Sequence, residues 1–107
     1  MFALVVRFDL LPGAAAAFDA LVAEAVPAID AGEPGTIGYV VHTVEGSPGS
    51  RVFYELYADR AAWEAHERYE HTARFLQLLQ QHLAAPPRVE FLAPAVAAGL
   101  GGVVADG

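Results

Sequence analysis

The chain has 107 residues, enough for one domain and not for a second catalytic one, and its 55% hydrophobic and 18% charged composition asks for more apolar burial than a monomer of this length provides. Cysteine is absent, which excludes disulfides, thiolate nucleophiles, CxxC pairs and zinc ribbons. A net charge of −7, set against six Arg and no Lys, excludes the basic patch that DNA or RNA binding needs, and no apolar run approaches the roughly 18 residues of a membrane span.

Residues 2–9 alternate Phe2, Leu4, Val6 and Phe8 against Ala3, Val5, Arg7 and Asp9, a period of two that is partly apolar on both sides and predicts a strand covered on both faces. A strand at the start is not a signal peptide, so a cytoplasmic location without a membrane partner is expected. Leu11-Pro12-Gly13 marks a turn. Beyond it Phe18, Leu21, Val22, Ala25, Val26 and Ile29 recur at helical spacing, which predicts a helix over 14–30. Gly32-Glu33-Pro34-Gly35 ends it, and a β-rich run over 36–44 follows as the second strand. By composition 45–50 is a hairpin loop, so a third strand over 52–57 is expected to pair antiparallel with the second.

Asp59 is a good N-cap for a second helix beginning near Ala61, with Ala62, Trp63 and His66 on its apolar face. Thr72 can re-aim that helix, after which Phe75, Leu76, Leu79 and Leu83 form a stripe that ends before Pro86-Pro87. A fourth strand is predicted over 88–92. Residues 1–94 thus make one domain, and the small-residue segment 95–107 reads as a flexible or partner-contacting tail.

The order strand, helix, strand, strand, helix, strand is the ferredoxin-like α+β pattern, an antiparallel sheet with both helices on one face. The other face is left bare and apolar. Two such sheets packed face to face, as a dimeric α+β barrel, cover it, so a homodimer is expected.

Strand parity places Phe53, Glu55 and Tyr57 on one face of the third strand, a carboxylate between two aromatics. A buried Glu55 needs a hydrogen-bonding partner or is set for proton transfer; an exposed or structural Glu is the alternative. His66 and His71 lie about 140° apart on a regular helix, wrong for one metal, and each has a carboxylate at i, i+4 spacing, Glu70 and Glu67. His66 reads as a surface or dimer-contact residue; His71, where the helical region restarts, is either a general base or a structural hydrogen bonder. Trp63 and Tyr57 are core residues or pocket walls with a polar tip. Tyr39 and His42 have opposite parity on the second strand, so at most one faces the helices. Glu33 reads as a turn residue. No phosphate-binding glycine loop, Ser-His-Asp spacing or flavin or nicotinamide fingerprint is present, so neither cofactor nor metal is expected.

Glu33-Pro34-Gly35-Thr36-Ile37-Gly38-Tyr39, Phe53-Tyr54-Glu55-Leu56-Tyr57 and the stretch from Ala65-His66 to His71-Thr72-Ala73-Arg74-Phe75, in this order of elements, resemble the antibiotic biosynthesis monooxygenase family over roughly residues 1–94. The resemblance implies a dimeric α+β barrel with a substrate pocket between sheet and helices. In its best-understood members it implies oxidation of quinols or polycyclic phenols by O₂ without metal or flavin; other members isomerise a sugar derivative or degrade heme. Where members acting on polycyclic aromatics or heme carry a pocket Asn, this sequence has Phe53 and Val6; where the heme type has its iron-ligand His, it has Leu76; and their late-strand Trp is Tyr57. Glu55 and His71 match the quinol-oxidising pattern. The resemblance therefore implies a cofactor-independent monooxygenase that oxidises a small phenol, hydroquinone or polyketide-like aromatic with O₂. His71 is the expected base and Glu55 its orienter, with Tyr57, Trp63, Phe53, His66 and Tyr39 as substrate contacts. A non-catalytic metabolite-binding module and an isomerase using the same pocket are the alternatives.

Overall fold

The computed structural model describes residues 1–100. Its elements are β1 (Phe2–Asp9), α1 (Ala15–Gly32), β2 (Thr36–Val44), β3 (Ser47–Tyr57), α2 (Arg60–Arg68), α3 (Glu70–Leu79), a 3₁₀ turn (Gln80–His82) and β4 (Arg88–Leu92). The strands form one antiparallel sheet in the spatial order β2-β3-β1-β4, the ferredoxin-like layout that the element order predicts.

β1 is central, paired on both edges with Val6 opposite Phe53 of β3 and Val89 of β4, which is why its apolar residues occupy both faces. Its even positions Phe2, Leu4, Val6 and Phe8 join Phe53 and Tyr57 in a core closed by Phe18 of α1 and by Phe75 and Leu79 of α3. Aromatic edges organise that core: the Phe8 and Phe53 rings meet edge-on at 4.9 Å, and Phe75 stacks on Phe53 at 6.1 Å. The Asp59 carboxylate caps α2 by accepting from the Ala62 N–H at 2.8 Å. Tyr69, with ψ at 143°, then leaves helical geometry for a single residue and separates α2 from α3.

The hairpin between β2 and β3 is tighter than composition suggests. Its turn is Glu45-Gly46, with Gly46 at φ +75°, and β3 already begins at Ser47. The extra residues 48–50 are taken up as an irregularity between the Val44–Ser47 and Thr43–Arg51 pairs. Specific partners hold them in place. The Ser50 hydroxyl donates to Asp9 at 2.8 Å, the Leu10 N–H donates to the Gly49 carbonyl, and the Arg51 guanidinium binds both oxygens of Asp19 on α1 at 2.9 Å.

On the second sheet face, Val5, Val52 and Tyr54 are half-buried and Val40 is exposed. The chain after β4 returns here as far as Leu100, and Pro94, Val96 and Leu100 line a hollow with Ala3, Tyr54 and Leu56. The first part of the segment expected to be flexible or partner-contacting therefore lies along this face. Residues 101–107 are outside the described residues.

Candidate functional site

A cavity of about 150 Å³ lies between the helix-side face of the sheet and the helices. Its apolar wall is built from Val6, Phe8, Phe53, Phe75, Leu76 and Val89, and its polar groups are Tyr39, Glu55, His66, Glu67, His71 and Thr72.

The carboxylate that organises the polar side is Glu33, which the sequence presents as a turn residue. It ends α1, where its N–H donates to the Ile29 carbonyl, and its own carbonyl accepts from Thr36 N–H at 3.1 Å. The turn is pressed against α2: the Gly35 carbonyl accepts from Ala58 N–H at 2.9 Å, and a Cβ on Gly35 would stand 2.6 Å from the Ala62 Cβ. Glycine is therefore required for close approach, and that approach aims the Glu33 side chain inward. Glu33 Oε1 accepts from His66 Nδ1 at 2.7 Å and from the Thr36 hydroxyl at 3.0 Å, and Oε2 accepts from His71 Nε2. The Glu33 side chain is 2% exposed and that of His66 5%, whereas His71 retains 25% at the cavity rim.

The break at Tyr69 makes this convergence possible. On an unbroken helix the two rings would diverge by about 140°; with α3 re-aimed, both reach one carboxylate. They take Glu33 instead of the i, i+4 partners Glu70 and Glu67, and His66 is buried, not a surface residue. Tyr69 stacks on His71 with ring centroids 5.1 Å apart. A carboxylate only accepts, so the proton of a neutral His71 ring sits on Nε2 and leaves Nδ1 as the basic nitrogen. By the same logic His66 carries its proton on Nδ1 and turns Nε2 toward Glu55, 3.7 Å away.

Glu55 is on the helix side with Phe53 and Tyr57, as parity predicts, and the Tyr57 hydroxyl donates to its Oε1 at 2.5 Å. Burial pushes the Glu55 carboxyl above the ordinary carboxylate value, against the opposing pull of the Tyr57 hydrogen bond and His66. Burial, reinforced by the Glu55 carboxylate, also pushes the Tyr39 and Tyr57 phenols far up, so both stay protonated donors. The expected direct Glu55–His71 pair is replaced by Glu33–His71, because β3 lies under α2 and delivers Glu55 to His66.

Of the other expected contacts, Tyr39, Phe53 and His66 line the cavity. Tyr57 is fully buried behind Glu55. Trp63 packs between Phe2 and Phe91, with centroids 5.4 and 5.2 Å away, outside the cavity lining. Thr72, read from sequence only for its effect on the helix, has a buried Oγ1 without a hydrogen-bond partner and lines the cavity. Among the described residues no group of three or more His, Asp or Glu is arranged to hold a metal ion, and no helix is long and apolar enough to cross a membrane.

A family model described as antibiotic biosynthesis monooxygenase matches residues 1–78. The chain belongs to the antibiotic biosynthesis monooxygenase family. Solved structures agree. One antibiotic biosynthesis monooxygenase is 26% identical with a TM-score of 0.82, over 90% of this chain and 100% of that one. Rv0793 of Mycobacterium tuberculosis is 26% identical at a TM-score of 0.84, over 92% and 98%. A Caulobacter crescentus protein assigned as an antibiotic biosynthesis monooxygenase shares the fold at 22% identity and a TM-score of 0.85, over 89% and 90%. No curated protein matches the chain in sequence. Within this antibiotic biosynthesis monooxygenase domain, Val6, Phe53 and Leu76, the positions where the resemblance contrasts a pocket amide or an iron-ligand imidazole, all line the cavity as apolar wall.

Proposed function

We propose that the chain is a cofactor-independent monooxygenase that oxidises a small phenol or hydroquinone with O₂, and that it works as a homodimer through its second sheet face. The observation that carries this reading is His71 at the cavity rim, with Nε2 committed to Glu33 and Nδ1 left basic, in a member of this family. Such a substrate brings its own electrons. His71 removes a proton, and the resulting carbanion passes one electron to O₂. The radical pair then joins to a peroxide that loses water to give a quinone. The protein's tasks are to take the proton, exclude water and hold the anion among aromatic faces, here Phe53, Phe75 and Tyr39. About 150 Å³ is the volume that admits a benzene ring, so a single-ring hydroquinone fits within and a polycyclic one extends through the rim.

Oxygen uptake with a panel of hydroquinones and anthrones, with anaerobic controls, tests the reading. Uptake that falls on the order of 10²–10⁴-fold in His71→Asn is the expected result. Binding without turnover would leave a metabolite-binding module, and turnover without O₂ an isomerase.

A further inference from the structure

Four titratable side chains connect the cavity rim to the buried face of the sheet. His71 bonds Glu33 Oε2; Glu33 Oε1 bonds His66 Nδ1 at 2.7 Å; His66 Nε2 stands 3.7 Å from Glu55 Oε1, which Tyr57 closes from behind at 2.5 Å. Exposure falls from 25% at His71 to 2%, 5% and 7% at Glu33, His66 and Glu55. Orienting one base requires one carboxylate. Burying a second imidazole and a second carboxylate beside it is costly, and both line the same cavity as the base.

We propose that Glu55 is the acid of this site, held as a protonated carboxyl opposite the bare Nε2 of His66, whose Nδ1 proton Glu33 fixes. The inference rests on the oxygenase reading above. Burial favours the protonated Glu55 carboxyl, the form an acid needs. The 3.7 Å separation is longer than a hydrogen bond, and rotation about the terminal carboxyl torsion, which is broad in Glu, is the motion that would shorten it. The other polar groups packed around His66 are the Tyr39 and Tyr57 rings, at centroid distances of 5.7 and 5.4 Å, and Glu67 on its own helix. Both phenols hold their protons, and Thr72 Oγ1 has no hydrogen-bond partner.

The chemistry balances for a substrate carbon bearing two hydrogens, as in an anthrone or the keto form of a hydroquinone. His71 takes the first proton and leaves the electron pair on carbon. One electron passes to O₂, and the two radicals combine in a new C–O bond, giving a peroxide anion. Glu55 protonates its outer oxygen and is left as the carboxylate. Loss of the second C–H proton to the Glu55 carboxylate restores the acid and breaks the O–O bond, and the departing hydroxide takes the proton that His71 holds. The sum is CH₂ plus O₂ to C=O plus H₂O. A peroxide anion that is not protonated falls back to the radical pair, and superoxide escapes and dismutates to hydrogen peroxide.

Two measurements test the assignment. In oxygen uptake with anthrone, Glu55→Gln and His66→Gln are expected to lose on the order of 10²-fold in oxygen-inserted product while hydrogen peroxide replaces it. His42→Gln, whose ring bonds the Val52 carbonyl at 2.9 Å outside the cavity, is expected to keep parental stoichiometry. Parental rate and coupling in Glu55→Gln or His66→Gln would overturn the proposal. The second measurement needs no substrate: in ¹⁵N spectra of the resting protein, His66 is expected to show a slowly exchanging Nδ1 proton, and Glu55→Gln is expected to shift its Nε2 signal. An unshifted Nε2 would overturn the assignment whatever the protein oxidises, whereas a shifted Nε2 with no oxidation of any probe would retain the Glu55–His66 pair and remove the oxygenase reading.

Discussion

Removing Glu33 should unfold the site from its centre. In Glu33→Ala three hydrogen bonds disappear, from His66, His71 and Thr36. His71 keeps a quarter of its surface and Thr36 is half-buried, so water replaces much of what they lose. The His66 side chain is 5% exposed, and its Nδ1 donor is left without a partner inside the protein, a loss of about 1–3 kcal/mol. A cavity where the carboxyl stood adds to this, while relief of the carboxylate's own burial subtracts, which places the net near 3 kcal/mol, the low end for breaking a buried pair. At 4–8 °C per kcal/mol for a domain of about this size, Tm falls by roughly 12–24 °C. Urea unfolding followed by circular dichroism measures it, with the denaturant slope unchanged. A loss below about 1 kcal/mol would refute the claim that the two imidazoles depend on this carboxylate.

Gly35→Ala puts a methyl 2.6 Å from the Ala62 Cβ and is expected to cost about 1–3 kcal/mol in urea unfolding; an unchanged midpoint would mean that the turn moves away from α2 freely. Glu55 supplies a pH test. Its carboxyl is raised above the ordinary 4.5, so its stabilising contribution is complete below that value and fades as pH rises through the raised one. The stability of the parent relative to Glu55→Gln is therefore expected to fall from pH 4.5 toward pH 8, and a constant difference would contradict the burial of that carboxyl. For the proposed homodimer, sedimentation at micromolar concentration is expected to give two copies, with Tyr54→Glu on the second sheet face shifting the protein to a single copy; a monomeric parent would remove the dimer.

The sheet was legible because β1 and β3 alternate cleanly, and the ferredoxin-like order follows from the element sequence alone. The start of β3 was not. Ser, Pro and Gly at 47–49 read as loop, yet the Arg51 guanidinium and Ser50 hydroxyl hold that segment in the strand through partners on α1 and β1 that are distant in sequence. The site divides in the same way. Parity gave Glu55 its face, and the helical restart pointed to His71 as a residue of the cleft. Glu33 was hidden by its own turn, because Glu-Pro-Gly-Thr satisfies a local explanation before any tertiary one is needed. The available signal was the pair of histidines flanking Tyr69: two imidazoles that diverge on one helix converge once it breaks, and they then require a common acceptor.

β4 pairs with β1 alone and forms one edge of the sheet, with Val89 46% and Phe91 55% exposed. Pro87 and Val89 form the cavity lip on this edge, whereas every proton-handling group comes from the turn after α1, from the two broken helices or from β3. In the proposed reaction the part that admits a molecule and the part that reacts with it would thus lie on separate stretches of chain. If the proposed reaction holds, substitutions at Pro87 and Val89 change which molecules are admitted while the reacting groups stay as they are, and a library confined to that short edge is the economical place to retarget the protein.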